Sequence, residues 1–238
     1  MSPWRAVIAV SMAVVLACLA ARLIVAGDPM LPAEIAGAAV LAAWLLEILA
    51  AAYRGHRLER SIGAVSSQAV VVGVSCRVMR DGGCSAFVLG TLRPRIYLGA
   101  GLLTTLDTDE LRAVVLHEEH HRRTRAPLRS AALGAWRRLA SSSSRVRDAL
   151  DARVTQLECD ADRFALRHGV SRGAIARALL KTEPSTMGLG FAAQAQARVD
   201  HLLDPDIHRR LDRAHDMPYE WAPVVVAVAI TVVCHVLL

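Results

Sequence analysis

Apolar positions along the chain follow three patterns. Residues 6–26, 32–52 and 222–238 are almost continuously apolar. A bilayer core takes a helix of about 20 apolar residues, so each stretch reads as a membrane span. Gly27-Asp28-Pro29 turns the first two into a helical hairpin, and residues 53–62 continue the second as a charged helix. Residues 69–79 are rich in β-branched side chains, Arg80-Asp81-Gly82-Gly83 is a turn, and 84–90 reads as a strand returning against the first. A third strand covers 95–98. Together they predict a small antiparallel sheet of about three strands.

From Asp109 the period becomes helical. Asp107 with Glu110 has the form of a capping box, with Thr108 as the alternative cap. This helix carries Leu111, Val114, Val115 and Leu116 and stops before Pro127. An amphipathic surface helix over 127–140 follows, with a place for it at a membrane interface. After a serine break at 141–144 comes a long helix over 145–168, closed by Gly169 at C′. Ser171 caps a helix to Lys181, and two more helices cover about 191–203 and 206–216. The predicted fold class is α+β: a mainly helical domain with a small antiparallel sheet, flanked by transmembrane helices. The predicted parts are a transmembrane hairpin at 1–53, a folded domain at 54–220 and a C-terminal transmembrane helix at 221–238.

Charge orients these parts. Arg5 precedes the first span, Arg54, Arg57 and Arg60 follow the second, and Arg209, Arg210 and Arg213 precede the third. The positive-inside rule then makes this an integral protein of the cell membrane with 54–220 in the cytoplasm. The net charge of +6 comes from 28 basic against 22 acidic residues, yet Lys181 is the single lysine and no aromatics interleave with the arginines. That favours a domain lying under an anionic leaflet, and no nucleic acid is expected as a partner. In a reducing compartment Cys76 and Cys84, facing each other across the expected hairpin, are small core residues.

The chemistry concentrates in His117-Glu118-Glu119-His120-His121. On a helix, positions i and i+4 share a face about 5–6 Å apart, so two imidazoles chelate one Zn²⁺ and Glu118 reaches a water on the metal. A largely buried helix presenting five titratable residues in a row also calls for compensation, which a metal supplies. The plain competing reading is a polar helix face. A tetrahedral site needs a third protein ligand. Glu158 on the long helix qualifies, and Asp162, one turn on, can accept the outer N–H of a zinc imidazole, with His117 favoured over His121. The alternative for both is a solvated acidic face paired with Arg153 or Arg163. Asp160 reads as a surface charge and His120 as a bystander.

Phe87-Val88-Leu89-Gly90, Pro94-x-Ile96, Gly101-Leu102-Leu103, the run Glu110 to His121 and Glu158-x-x-Ala161-Asp162 together resemble the integral-membrane gluzincin metalloproteases. Two branches are similar: the HtpX and CAAX prenyl-protease branch, and the β-lactam-sensor antirepressor branch. The resemblance implies a zincin-like metalloprotease domain with zinc on His117, His121 and Glu158. It also implies Glu118 as general base on a zinc-activated water, protein or peptide substrates, and the strand at 87–90 as a substrate-holding edge. There are departures. Ala126-Pro127-Leu128 stands where the sensor branch has Asp-Pro-Leu, and Arg129, Arg137 and Arg138 keep the next helix out of the membrane. No residue is assigned to the oxyanion; Arg198, His201, His208 and His215 are candidates. The alternative function is a catalytically inactive zinc-binding membrane regulator.

Overall fold

The structure is a computed structural model and describes residues 31–139, 144–182, 198–200 and 202. The predicted spans at 6–26 and 222–238, the helix at 206–216 and most of that at 191–203 lie outside these residues. Helix α1 (Leu31–Ala64) runs unbroken through the charged stretch after the second predicted span. Among the residues whose side chains are described, no helix is long and apolar enough to cross a membrane.

The sheet differs from the expected one. The run 69–79 is two strands, β1 (Ser66–Val71) and β2 (Val74–Met79), paired antiparallel with Val71 opposite Val74. The two-residue loop between them is Val72-Gly73, with φ of 51° and 76°. A right-handed strand twist favours such a loop, whose two residues both take positive φ. Glycine does so freely. Valine is a poor choice there, and it makes the run look like one continuous strand.

Strand β3 (Ala86–Leu89) does not return against β2. It pairs antiparallel with β4 (Arg95–Gly99), which lies parallel to β2, giving the order β1-β2-β4-β3. The sheet is therefore mixed and four-stranded rather than antiparallel and three-stranded. This order forces the chain leaving β2 to step over the end of β4. The crossing is made by glycine. Gly99 N–H donates to Ser85 O at 2.8 Å, and a Cβ at Gly99 would land on the carbonyls of Gly82 and Gly83. Cys76 and Cys84 consequently do not face each other. Cys76 is buried in the core, and the Cys84 thiol contacts Thr105 Oγ1 at 3.4 Å.

A short helix α2 (Ala100–Thr105) leads to α3 (Thr108–Arg123), the hub of the domain. Asp107 wins the capping position over Thr108. Its carboxylate accepts from Glu110 N at 2.8 Å, and the Glu110 carboxylate accepts from Asp107 N at 3.0 Å. Val115 packs into the core formed with Ile96 and Leu98 of the sheet and Leu102 of α2. Ala113 packs into a second core with Ala165 of α5 (Ser144–Arg167) and Ala174, Ile175 and Ala178 of α6 (Arg172–Lys181). Helix α5 ends as its glycine predicts. Gly169 has φ 84°, Val170 N–H reaches Ala165 O and Gly169 N–H reaches Leu166 O, the paired bonds of a Schellman close. Ser171 then caps α6 through Ala174 N. Helix α4 (Ala126–Leu139) lays Leu133 against Leu150 and Leu157 of α5. Leu133 and Trp136 of this helix thus have a protein partner.

Glu110 ties α3 to α6. Fully buried, it accepts from Lys181 Nζ at 2.6 Å and Arg177 Nε at 2.9 Å. The Lys181 bond outweighs the opposing effect of burial and, with the bonds from Asp107 N and Arg177, holds the carboxyl at about 2. A carboxyl depressed in the folded state stabilises fully above its unfolded pKa of 4.5, and the contribution fades as pH falls towards 2. Urea unfolding should therefore find Glu110→Gln less stable than wild type near neutrality, with the gap closing across that acid window. A gap independent of pH would contradict this origin. At the hairpin, Val72→Asn should raise stability by about 1 kcal/mol by relieving the left-handed valine, read as a higher denaturation midpoint at unchanged slope.

Candidate metal centre

Helices α3 and α5 carry the three candidate ligands. His117 and His121 lie one turn apart on α3, with their Nε2 atoms 2.9 Å from each other and their rings edge to face. Helix α5 crosses beside them and delivers Glu158, whose Oε2 is 3.2 Å from His117 Nε2 and whose Oε1 is 3.4 Å from His121 Nε2. One nitrogen from each imidazole and one carboxylate oxygen lie within 4.8 Å of one another. Among the described residues this trio is the one grouping of three such side chains that could hold a metal ion.

Asp162, one turn along α5, approaches the other side of His117. Its Oδ1 is 2.9 Å from His117 Nδ1, and the residue is 1% exposed. Neither acid forms the solvated face that the plain reading offered. Arg163 pairs with Asp160 instead, and Arg153 donates to Gln156. Arg198 completes the cluster. Its Nε donates to Asp162 Oδ2 at 2.8 Å and its Nη2 to Oδ1 at 2.6 Å, while Nη1 lies 3.5 Å from Glu158 Oε2. The other oxyanion candidates, His201, His208 and His215, lie outside the described residues.

Electrostatics follow the geometry. Burial and the Arg198 charge oppose protonation of His117, but its contacts with Asp162 and Glu158 prevail and lift the imidazole to about 9. Burial works against ionisation of Glu158, and hydrogen bonds with His117 and His121 reverse it, leaving the carboxyl well below its usual range. Asp162 follows the same logic: burial is overcome by His117 and Arg198, and it sits at about 2. Two ionised carboxylates therefore draw positive charge to the point where the Nε2 atoms meet. A proton is one way to supply that charge, and a divalent cation is another.

Glu118 is buried and lines, with His117, His121 and Glu158, a cleft of about 520 Å³. Ala86, Phe87 and Val88 of the edge strand β3 form part of its wall, as do Ala126 and Pro127 at the start of α4. The two remaining residues of the five-residue run are accounted for without a metal. Glu119 accepts from Arg122 and Arg123 at 2.6–2.7 Å, bonds that outweigh its burial and lower its pKa. That corrects the argument that the whole run needs a metal to offset it. His120 packs its ring 5.3 Å from Phe164, and burial, then its neighbours His121 and His117, push it down to about 4.

Sequence reasoning underrated Arg198. It stands 36 residues beyond Asp162, and no spacing or period links the two. The available signal was compositional: a buried Asp beside a ligand imidazole calls for a cation, and the arginine-rich segments after α6 hold several.

Comparison with known proteins adds one finding. A family model described as peptidase family M48 matches residues 53–216, more than half of the chain and all of the site above. No curated protein and no solved structure matches. The chain belongs to peptidase family M48 and is a zincin-like metallopeptidase.

Proposed function

We propose that this metallopeptidase is a zinc-dependent endopeptidase of protein substrates, with His117, His121 and Glu158 as the residues that hold zinc and Glu118 as general base. The observation that carries the proposal is the convergence of two imidazole nitrogens and one carboxylate oxygen beside a buried glutamate in an open cleft. The donor set suits the ion. Two nitrogens and one oxygen are a catalytic zinc complement, with one position left for solvent or substrate. Asp162 accepts the hydrogen bond of His117 Nδ1–H, which would leave the Nε2 lone pair on the side facing Glu158. Zinc held by these residues would supply Lewis acidity and would lower the pKa of a water to about 7.

The protein's own groups do the rest. Glu118 lines the same cleft as the three ligand candidates, and as general base it would take the proton of the attacking water and pass it to the leaving amine. Among the described residues β3 is an edge of the sheet and lines the cleft, and an edge strand suits an extended peptide added as a further strand. We also place the enzyme in the cell membrane. The spans at 6–26, 32–52 and 222–238 and the arginines flanking them support a catalytic domain over 54–220 on the cytoplasmic face, acting on proteins there.

Glu118→Gln tests the reading. Cleavage of an unstructured protein should fall at least about 100-fold, while metal analysis still finds one zinc per chain. Glu158→Ala should lose the zinc itself. Wild-type protein that binds zinc but cleaves nothing would favour the inactive regulator, and full activity in Glu118→Gln would overturn the mechanism.

A further inference from the structure

We propose that Arg198 is a positioning residue of the metal centre: it fixes the Asp162 carboxylate in the orientation that aims His117 Nε2 at Glu158 and His121. The inference rests on the zinc-site reading above and adds to it a residue from outside the two metal-bearing helices.

A carboxylate rotates broadly about its terminal torsion, so one hydrogen bond to an imidazole leaves its plane poorly defined. Arg198 removes that freedom. Its rigid fork engages both oxygens, Oδ2 through Nε at 2.8 Å and Oδ1 through Nη2 at 2.6 Å. Oδ1 is the oxygen that also meets His117 Nδ1 at 2.9 Å, and a carboxylate oxygen has lone pairs for two donors. Arg198 Nη2 lies 3.2 Å from the same Nδ1. A guanidinium accepts nothing, and the Nδ1 proton has Asp162 as its acceptor, so the two donors sit side by side on one oxygen. This arrangement fixes the His117 tautomer and ring plane together.

The fork is anchored independently. Arg198 is 9% exposed. Four residues on, Leu202 is buried in the core with Ala113, Ala165 and Ile175, and its carbonyl accepts from Arg172 Nη1 at 3.2 Å. The segment is thus docked by an apolar contact and a backbone bond that do not involve the metal-facing groups.

Two effects of opposite sign separate positioning from plain charge. As a cation 3.5 Å from Glu158, Arg198 repels a divalent ion, and removing it for electrostatic reasons alone would tighten binding. As a positioner, its removal loosens His117 and weakens binding. Loss of an outer partner of a metal ligand typically costs about 10–100-fold in affinity.

The test is the Zn²⁺ dissociation constant of the full chain, measured by chelator competition, for wild type, Arg198→Ala, Asp162→Asn and the double variant. Arg198→Ala should weaken Zn²⁺ by about 10–100-fold. In the Asp162→Asn background the same change should cost little more, because the fork then has no carboxylate to orient. Arg198→Lys keeps the charge without the fork and should recover only part of the loss. The visible absorption of the Co²⁺-loaded protein should change in Arg198→Ala, reporting an altered ligand field. Unchanged or tighter Zn²⁺ binding would overturn the proposal. So would an equal loss in both backgrounds, which would make Arg198 a docking residue only. If Arg198→Ala does not fold, Arg198→Lys in the same cycle decides by the same criteria. A wild-type chain that binds no Zn²⁺ is a different result: it overturns the zinc-site reading itself, and the role of Arg198 with it.

Discussion

The close crossing of α3 and α5 is the constraint on which the rest of this structure depends. Neither helix carries a complete site. The imidazoles come from one and the carboxylates from the other, and a shift of one turn would move Glu158 by about 5 Å. The register is held by small residues. Ala113 on α3 and Ala165 on α5 meet in one core with α6, and Ala161, between Glu158 and Asp162, has no exposed surface. A larger side chain at these points would push the helices apart and open the contacts of 3.2 and 3.4 Å that Glu158 makes with the two histidines. Glu110 reinforces the arrangement from the far end of α3, because its bonds to Arg177 and Lys181 fix α6 against the same helix.

The sheet contributes through its order rather than its extent. Because β4 inserts between β2 and β3, β3 becomes an edge and stands at the wall of the cleft. That order is bought with glycine at the crossing, where Gly82 and Gly83 pass over Gly99 too closely for any Cβ. The other edge, β1, belongs to the hairpin through Val72-Gly73 and is separated from β3 by two strands. The hairpin and the cleft are thus separate features of the fold.

How much of this was legible in the sequence varies with the range of the interaction. Helix ends were readable because capping is local: Asp107 with Glu110, Gly169 and Ser171 each act within a few residues, and each does so in the structure. The spacing of His117 and His121 was readable for the same reason, since one helical turn links them. Strand order was not. The pairing of Cys76 with Ile96 spans 20 residues, and a parallel neighbour leaves no turn signal between its strands. The hairpin at Val72 was hidden by a residue type that disfavours the conformation it adopts. Arg198 was legible only as a candidate near the reacting centre, because its pairing with Asp162 is chosen by tertiary packing.

Charge compensation explains why, among the described residues, the trio in the cleft is the acidic spot that could hold a metal. Buried carboxylates need opposing charge. Glu110 takes Lys181 and Arg177, Glu119 takes Arg122 and Arg123, and Asp162 takes Arg198, all through contacts of 2.9 Å or less. Glu158 differs. Its nearest contacts are two imidazole nitrogens at 3.2 and 3.4 Å, and the Arg198 guanidinium stands back at 3.5 Å. An imidazole that gives up its proton offers a lone pair, so this carboxylate shares a point in space with two further potential donors to a cation. Basic side chains hold Glu110, Glu119 and Asp162, and the position between Glu158 and the two imidazoles is the one that suits an ion.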